Sequence, residues 1–290
     1  MNDLRKIRLV AAMNFRKWRT DWRIFTVAFC VLSYMLVMLW DVRRFARDMG
    51  IPVSPWVFPF LMGPSGTVLL MLAAVAFFGN APFRDAQFPF VFARVGRKNW
   101  ICGQLLYLVF ASAAYTLFTV MASMLVLLPY LGFTWNWGTI LDTVMNTSTA
   151  QQMGYSITLQ GTETVFFTLR PASAMLLSIG LYFLCVWFLG CVIFCGNLLT
   201  ERAVGTCIAG GFTGLSFLSA TATMLSPFGK WMNRFSPVTW SSLNGVELAG
   251  SGDYPNIRYA AAVLLGVSLL LNVIAVLRFR KQDQTMGREG

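Results

Sequence analysis

The sequence predicts an all-α integral membrane protein with six transmembrane helices, an N-terminal amphipathic interfacial helix and both termini in the cytoplasm. Composition is the first reason, because 57% of the 290 residues are hydrophobic and only 12% are charged, whereas soluble domains carry about 25% charged residues. The distribution of charge is the second reason, since the charges cluster between long apolar runs. In a soluble protein the net charge of +11 would suggest nucleic acid. Here the flanks of membrane helices explain it more simply, and no nucleic-acid partner is expected.

Six apolar segments are long enough to cross a hydrocarbon core of about 30 Å. They cover 24–40, 56–80, 101–131, 173–198, 203–226 and 259–278. With the N-terminus inside, 16 of the 23 basic residues lie in cytoplasmic parts and seven in outer parts. The positive-inside rule therefore places both termini in the cytoplasm. The outer stretch 41–55 is a local exception, since it holds Arg43, Arg44 and Arg47.

The first 23 residues carry a stripe of apolar and aromatic side chains at spacings of three and four. The stripe consists of Leu4, Ile7, Ala11, Phe15, Trp18, Trp22 and Phe25. Most of the arginines lie off this stripe. Such a pattern is typical of a helix that lies in the membrane interface, and we expect residues 1–23 to form one. A basic flank that only sets the topology is the alternative.

The chain reads as one transmembrane domain with two outer segments of different composition. The loop 132–172 is long, polar and carries little charge. The segment 227–257 mixes apolar and polar residues, and the spacing from Val238 to Val246 predicts a short amphipathic helix after Pro237. A segment of this kind can dip into the outer leaflet where protein shelters its backbone.

The sequence offers no catalytic, cofactor-binding or metal site. It contains no G-x-x-x-x-G-K-[ST] loop, so this chain is not expected to bind ATP in the P-loop manner. Gly63-Pro64-Ser65-Gly66 matches the serine motif of rhomboid-type intramembrane proteases, but that chemistry requires a histidine base and the chain has none. The six cysteines lie in or at the edge of apolar segments. They are interpreted as packing residues rather than as metal ligands or disulfides.

The fifth apolar segment contains a pair of small residues four positions apart, Gly210 and Gly214. Such a pair allows two membrane helices to approach closely. Packing within one subunit is the favoured interpretation of these glycines, and a subunit interface or transport pathway is the alternative. Acidic residues and lysine are missing from the apolar segments. Because ion-driven carriers usually keep ionisable side chains at the midplane, this argues against secondary transport.

Residues 81–100 combine four basic residues with four phenylalanines. Pro89 and Gly96 bound a short predicted helix, because proline suits the first helical turn and glycine suits the position just past the end. Topology explains the basic residues but not the phenylalanines, each of which costs roughly 1.5–3 kcal/mol in water relative to full burial. We therefore expect these rings to be covered, either by this protein and lipid or by a partner.

This arrangement resembles the ABC-2 family of ABC-transporter permeases over nearly the whole chain. The resemblance rests on the amphipathic N-terminal helix, on six spans with both termini inside, and on the cytoplasmic sequence FRDAQFPFVFARVGRKNW between the second and third spans. The outer sequence FSPVTWSSLNG before the sixth span is similar to a Pro-x-x-Trp segment common in that family, here formed by Pro237 and Trp240.

The resemblance implies the permease subunit of an ATP-driven exporter, with ATP and Mg bound by separate cytoplasmic ATPase subunits and no cofactor on this chain. It also implies a dimer with a second, identical or different, permease subunit. Residues 81–100 would form a coupling loop that docks on the ATPase, and its candidate contacts are Arg84, Asp85, Phe88, Phe92, Arg94, Arg97 and Lys98. Glu201 and Arg202 would form a second contact. The segment with Pro237 and Trp240 would lie at the outer mouth of the pathway.

The expected cargo is amphipathic or apolar, such as a peptide, a drug or a lipid-linked molecule, because the spans offer few charges to bind a polar solute. The alternative function is a membrane sensor or immunity subunit that binds a ligand without transporting it. In both cases the chain would be a non-catalytic, multi-pass protein embedded in the lipid bilayer of a cell membrane, which the resemblance implies to be the bacterial cytoplasmic membrane.

Overall fold

The computed structural model describes residues 2–83, 88–157, 159, 163–200, 202–225, 228–248, 252 and 254–286. These residues are mostly helical, and the extended pairing among them is limited to isolated bridges. The α-helices are α1 (Asp3–Lys17), α2 (Trp22–Met49), α3 (Pro64–Phe78), α4 (Phe88–Val95), α5 (Arg97–Leu127), α6 (Thr139–Asn146), α7 (Thr149–Gln152), α8 (Glu163–Thr168), α9 (Pro171–Thr200), α10 (Val204–Leu225), α11 (Phe228–Arg234) and α12 (Ile257–Met286). Single 3-10 turns lie at Phe58–Leu61, Leu128–Tyr130, Thr239–Ser241 and Leu243–Gly245.

Five helices in the described parts of the chain are long and apolar enough to cross a membrane. They are α2, α5, α9, α10 and α12, which correspond to the first, third, fourth, fifth and sixth predicted segments. The chain is thus a multi-pass helical membrane protein. The most buried of the five is α9, which packs against α3, α5, α10 and α12 and so forms the centre of the bundle.

The second predicted segment, 56–80, is built differently from the other five. A 3-10 turn at Phe58–Leu61 precedes α3, which begins at Pro64 and has 15 residues. A helix of that length rises about 22 Å, less than a hydrocarbon core of roughly 30 Å. All four residues of the turn are buried by protein, which is the condition under which irregular backbone is tolerated at membrane depth. The count of six spans remains a prediction.

The predicted outer loop 41–55 is partly wrong, because its first nine residues continue α2. Ion pairs along the helix accommodate the charges there. Arg44 Nη1 lies 3.6 Å from Asp41 Oδ1 one turn earlier. The helix ends at Gly50, whose φ of 64° is in the left-handed region that favours glycine. The hydropathy pattern predicts a shorter helix, because the apolar run ends where these charged residues begin.

The N-terminal helix predicted for residues 1–23 is also shorter than expected, since α1 ends at Lys17. The side chain of Asp21 then accepts a hydrogen bond from the Arg23 backbone N–H and caps the start of α2. Trp22, which was assigned to the N-terminal stripe, belongs to α2 and is exposed. The stripe is therefore divided between two helices. Ala11 of α1 lies on the side that packs against α5, and Trp18, just after α1, donates a hydrogen bond to Tyr107 of α5.

The predicted polar loop 132–172 has a core of its own. It contains the helices α6, α7 and α8. The Trp137 ring packs edge-on against Phe60 at 5.0 Å between ring centroids and stacks on Phe166 at 5.4 Å. Ile140 and Leu141 of α6 are fully buried. The polar composition therefore predicted a loop, whereas the chain forms a folded segment with a small aromatic cluster.

Candidate coupling surface and outer segment

The short helix predicted between Pro89 and Gly96 is present as α4. Proline lies in its first turn, where its missing N–H leaves no intrahelical hydrogen bond unmade. Gly96 has a φ of 82° and directly precedes α5, so the chain changes direction at a residue that adopts this backbone conformation without strain. The helix α4 is consequently a separate rigid unit rather than an extension of α5.

One face of α4 is anchored in the protein by an aromatic cluster formed by Phe92, Trp100 and Phe279. The Phe92 ring lies 6.1 Å from Trp100 and 6.0 Å from Phe279, and the last two rings stack at 5.3 Å. Val95, three residues after Phe92, is buried on the same side. The cluster joins α4 to the start of α5 and to α12. Phe92, a predicted partner contact, thus packs within the protein.

The opposite face of α4 is open. Phe90 is 79% exposed, and Arg94, one turn later, is exposed as well. Lys98 at the start of α5 is also exposed, while the Arg97 guanidinium lies 5.4 Å over the Phe92 ring. We call Phe90, Arg94 and Lys98 the outward surface. Sequence reasoning missed Phe90, although helical periodicity places it on the face opposite Phe92.

The remaining candidate contacts of this loop cannot be placed on either face. Arg84 and Asp85 lie outside the described residues, and Phe88 is the first residue of α4, with its side chain outside the description. Their predicted contacts stay predictions.

The helix α1 is fastened to the first turns of α5. Asn14 Nδ2 donates a hydrogen bond to Gln104 Oε1 at 2.7 Å, and both side chains are buried. Val10 fills the notch at Gly103, where an added Cβ would come within 2.6 Å of the valine Cβ. Glycine at this position therefore permits the close approach of the two helices. Gln104, a polar residue within the third apolar segment, is thus a packing partner of α1.

The turn between α9 and α10 is bonded to the beginning of the segment 81–100 by Asn197, which sequence reasoning overlooked. Asn197 Nδ2 donates to the Ala81 carbonyl at 2.9 Å, and the Gly205 N–H donates to Asn197 Oδ1 at 2.8 Å. The two helices touch here, because a Cβ added at Gly196 would lie 2.5 Å from the Gly205 Cα. An asparagine next to the end of an apolar run was the available signal.

The second predicted contact lies in this same turn. Arg202 is exposed and therefore accessible to a partner, while Glu201 lies outside the described residues.

The two glycines of α10 give a different result. Cβ atoms added at Gly210 and Gly214 would meet nothing within 4 Å. Among the described residues no other helix therefore approaches closely at these two glycines, and whether the pair serves packing, a subunit interface or a pathway stays a prediction.

The orientation of α10 explains the open space at these glycines. Its buried side is formed by Ala209, Thr213, Ser216 and Ser219, and the hydroxyls of the last three donate to carbonyls three residues earlier in the helix. This rotation fixes the small and hydroxyl side chains toward α3 and α9. Gly214 is left on the exposed side.

The outer segment around Pro237 and Trp240 is buried rather than open. Trp240 is 2% exposed, and its Nε1–H donates to the Asn233 carbonyl at 2.6 Å. The predicted amphipathic helix is wrong, because Ser242 adopts an extended conformation and divides the segment into two 3-10 turns. Gly245 is essential to this path, since a Cβ there would collide with the Thr239 carbonyl.

A small uncharged cavity lies between this segment, α3 and α10. Its volume is about 70 Å³, which corresponds to about two water molecules. The walls carry hydroxyl groups from Thr67, Ser216 and Thr239. Behind them Thr239 Oγ1 lies 2.7 Å from Ser236 Oγ and 3.1 Å from Ser219 Oγ. The cavity is thus uncharged, lined by both apolar and hydroxyl-bearing residues, and too small for an organic solute.

The described residues contain neither a candidate metal-binding group of side chains nor a disulfide bond. These residues contain no group of three or more His, Cys, Asp or Glu side chains that could hold a metal ion. All six cysteines are free, and Cys185, Cys191 and Cys195 are buried. A scan against protein-family models, a search of curated proteins and a search of solved structures gave no match to this chain.

Proposed function

We propose that this chain is the permease subunit of an ATP-driven exporter of the ABC-2 type. In this proposal two permease subunits form the pathway, each spans the membrane six times with both termini in the cytoplasm, and separate ATPase subunits hydrolyse ATP. The observation that carries the proposal is the two-sided nature of α4. One face is anchored by the aromatic cluster, and the opposite face leaves Phe90 and Arg94 exposed.

The contacts of α4 suit it to transmit movement. Phe92 packs against Trp100 near the start of α5 and against Phe279 on α12. A displacement of α4 by a partner therefore acts on the ends of two long helices at once. The turn held by Asn197 is bonded to Ala81 at the start of the same loop. Rigid-body movement of packed helices is a common means of alternating the exposure of a binding site.

The side chains of α10 support an amphipathic or apolar cargo. This helix offers hydroxyl groups and glycines but no charged side chain between Val204 and Leu225. Among the described residues there is open space where a side chain at Gly210 or Gly214 would lie, which suits a helix that lies along a second subunit or along the pathway. Peptides, drugs and lipid-linked molecules are the cargo classes that such a surface accommodates.

The test is association with an ATPase in membranes of the native host. The double variant Phe90→Ala/Arg94→Glu removes two of the three side chains of the outward surface and leaves the aromatic cluster in place. We expect it to insert normally and to lose co-purifying ATP hydrolysis by about tenfold or more, as for interface hot spots. Arg97 is left unchanged because its guanidinium packs over Phe92.

The matched control is Phe29→Ala/Arg19→Glu, which removes another exposed phenylalanine and another exposed arginine. It changes the net charge equally and is expected to keep the ATPase bound. The proposal is contradicted if wild-type protein brings down no P-loop ATPase. It is also contradicted if the Phe90/Arg94 variant retains full ATPase association.

A sensor or immunity subunit is the second candidate, and one observation favours it. The folded segment 132–172 has an aromatic pair on its surface, Phe133 and Trp135. The two side chains are 66% and 78% exposed, and their ring centroids lie 5.3 Å apart. Such a pair suits ligand capture by contact alone. A sensor would keep its response in the Phe90/Arg94 variant and lose it in Trp135→Ala, so the two variants separate the candidates.

A further inference from the structure

A basic cavity of about 190 Å³ lies at the end of α2 that is farthest from α1. Trp40, Arg43, Arg44 and Arg47 share one face of the helix, because they are separated by three or four positions, and Tyr130 closes the cavity from the end of the next long helix. This volume is below the roughly 300–1,000 Å³ typical of pockets for drug-sized ligands. The cavity therefore suits a charged headgroup rather than a whole organic molecule.

The arginines are only partly neutralised. Arg44 lies 3.6 Å from Asp41, and Arg47 lies 3.0 Å from Asp48. The Arg43 guanidinium instead lies 5.9 Å over the Tyr130 ring, and among the described residues no carboxylate oxygen comes within 4 Å of it. The cavity thus contains one positive charge in excess.

Both carboxylates are also engaged elsewhere, since Asp41 accepts a hydrogen bond from the Ser156 backbone N–H at 3.0 Å. Asp48 accepts a hydrogen bond from the Tyr155 hydroxyl, and this bond raises the pKa of Tyr155 above its ordinary value. Part of the acceptor capacity of Asp48 is therefore used by the tyrosine. The guanidinium groups keep N–H donors free in a planar arrangement, and phosphate is the anion that matches this geometry in two-point contact.

The walls of the cavity are held in place without a ligand. The Val53 N–H donates to the Tyr130 carbonyl at 2.8 Å, and the Gly132 N–H donates to the Val53 carbonyl at 2.9 Å. These bonds join the chain after α2 to the chain after α5 and fix the tyrosine opposite the arginines. A site whose walls are fixed in advance loses less conformational entropy on binding.

An apolar surface leads directly into the cavity. Leu36, Val37 and Trp40 are exposed on the preceding turn of α2, at 43%, 72% and 52%. Tryptophan is enriched at the membrane interface, where its ring lies at headgroup level. A ligand with an acyl chain beside these residues would place its headgroup among the arginines.

We propose that this cavity binds the phosphate of an anionic headgroup, with the acyl chains of the lipid along Leu36, Val37 and Trp40. The site does not depend on the export function and would serve a sensor equally. It also accounts for the three arginines that depart from the positive-inside rule in the proposed orientation. Free phosphate shares the same chemistry, and the experiment distinguishes the two sources.

The experiment measures lipid binding to the purified full-length protein in neutral detergent by native mass spectrometry. The protein is titrated with palmitoyl-oleoyl-phosphatidylglycerol and, separately, with the zwitterionic phosphatidylcholine of the same chains. We expect the first anionic lipid to bind about fivefold more tightly than the zwitterionic one, given about 1 kcal/mol for the one uncompensated basic residue near a charged headgroup. In Arg43→Gln/Arg47→Gln the preference should fall to within about twofold.

Three further measurements complete the test. Arg258→Gln, an exposed arginine at the start of α12, should keep the preference. Arg43→Gln alone breaks no ion pair and should lose most of the preference for the anionic lipid. The proposal can therefore be tested even if the double variant misfolds. Inorganic phosphate at matched ionic strength should not displace the lipid, and displacement would assign the site to soluble phosphate. Wild-type preference in Arg43→Gln and in the double variant would overturn the proposal.

Discussion

Two aromatic segments, α4 and the segment around Trp240, differ in what covers their largest side chains. In α4 the Phe90 ring is 79% exposed, whereas Trp240 is 2% exposed and its N–H is bonded within the same segment. Both segments lie between long helices and contain a proline near their start. This difference indicates that an aromatic ring buried by its own chain contributes to stability, whereas an exposed ring is available for recognition.

The largest expected effect is on the covered segment. Trp240→Ala removes a buried indole and its hydrogen bond to the Asn233 carbonyl, so the free energy of unfolding should fall by about 3–5 kcal/mol. Thermal unfolding in detergent, followed by size-exclusion chromatography, measures this loss. Trp231→Ala removes a tryptophan that is 60% exposed and should have little effect. Equal losses in the two variants would show that burial does not distinguish them.

A second prediction concerns where α10 makes its close contact. Gly196→Ala places a Cβ 2.5 Å from the Gly205 Cα, and such overpacking should lower stability by about 1–3 kcal/mol. Gly214→Ala has open space around its new Cβ and should leave the isolated chain as stable as before. The reverse ranking would mean that the rotation of α10 differs from the one described.

A third prediction tests the attachment of α1 beside the coupling loop. Asn14→Leu leaves the buried Gln104 amide without its partner, which should cost about 1–3 kcal/mol. The double variant Asn14→Leu/Gln104→Leu removes both polar groups and should recover most of this loss. A double-mutant cycle on thermal stability measures the recovery, and strict additivity of the two single effects would contradict a direct bond.

The smallest expected effect on stability is at the open face of α4. Phe90→Ala removes a ring in contact with solvent and should change the free energy of unfolding by no more than about 0.5 kcal/mol. Phe92→Ala, two residues later, removes a ring from the aromatic cluster and should cost more. If Phe90→Ala destabilised the isolated chain as much as Phe92→Ala, the outer face of α4 would be covered by the protein itself.

Much of the fold followed from local pattern, and the exceptions have physical reasons. The short helix between Pro89 and Gly96 was predicted, because proline and glycine act through their own backbone preferences. The helix predicted after Pro237 was not formed, because burial of Trp240 and the tight approach at Gly245 override periodicity there. The charged residues at the end of α2 predicted a loop. The helix continues there because neighbouring side chains of opposite charge pair with one another within it.

The candidate site was predictable only in part for a similar reason. Sequence placed the basic residues and phenylalanines of 81–100 in one loop, but it could not tell which rings were covered. Phe92 is anchored by Phe279, which is distant in sequence. Asn197 could not be paired with the Ala81 carbonyl before the chain was folded, because no local pattern relates residues so far apart.

The sequence by itself determined the class of protein, five helices of membrane-spanning length and the position of α4, since hydropathy and backbone preference are local properties. The tertiary structure alone decided that Trp240 is buried, that Phe90 is open and that the arginines of α2 line one cavity with Tyr130. Burial depends on which elements pack together, and packing is settled by contacts between segments far apart in the chain.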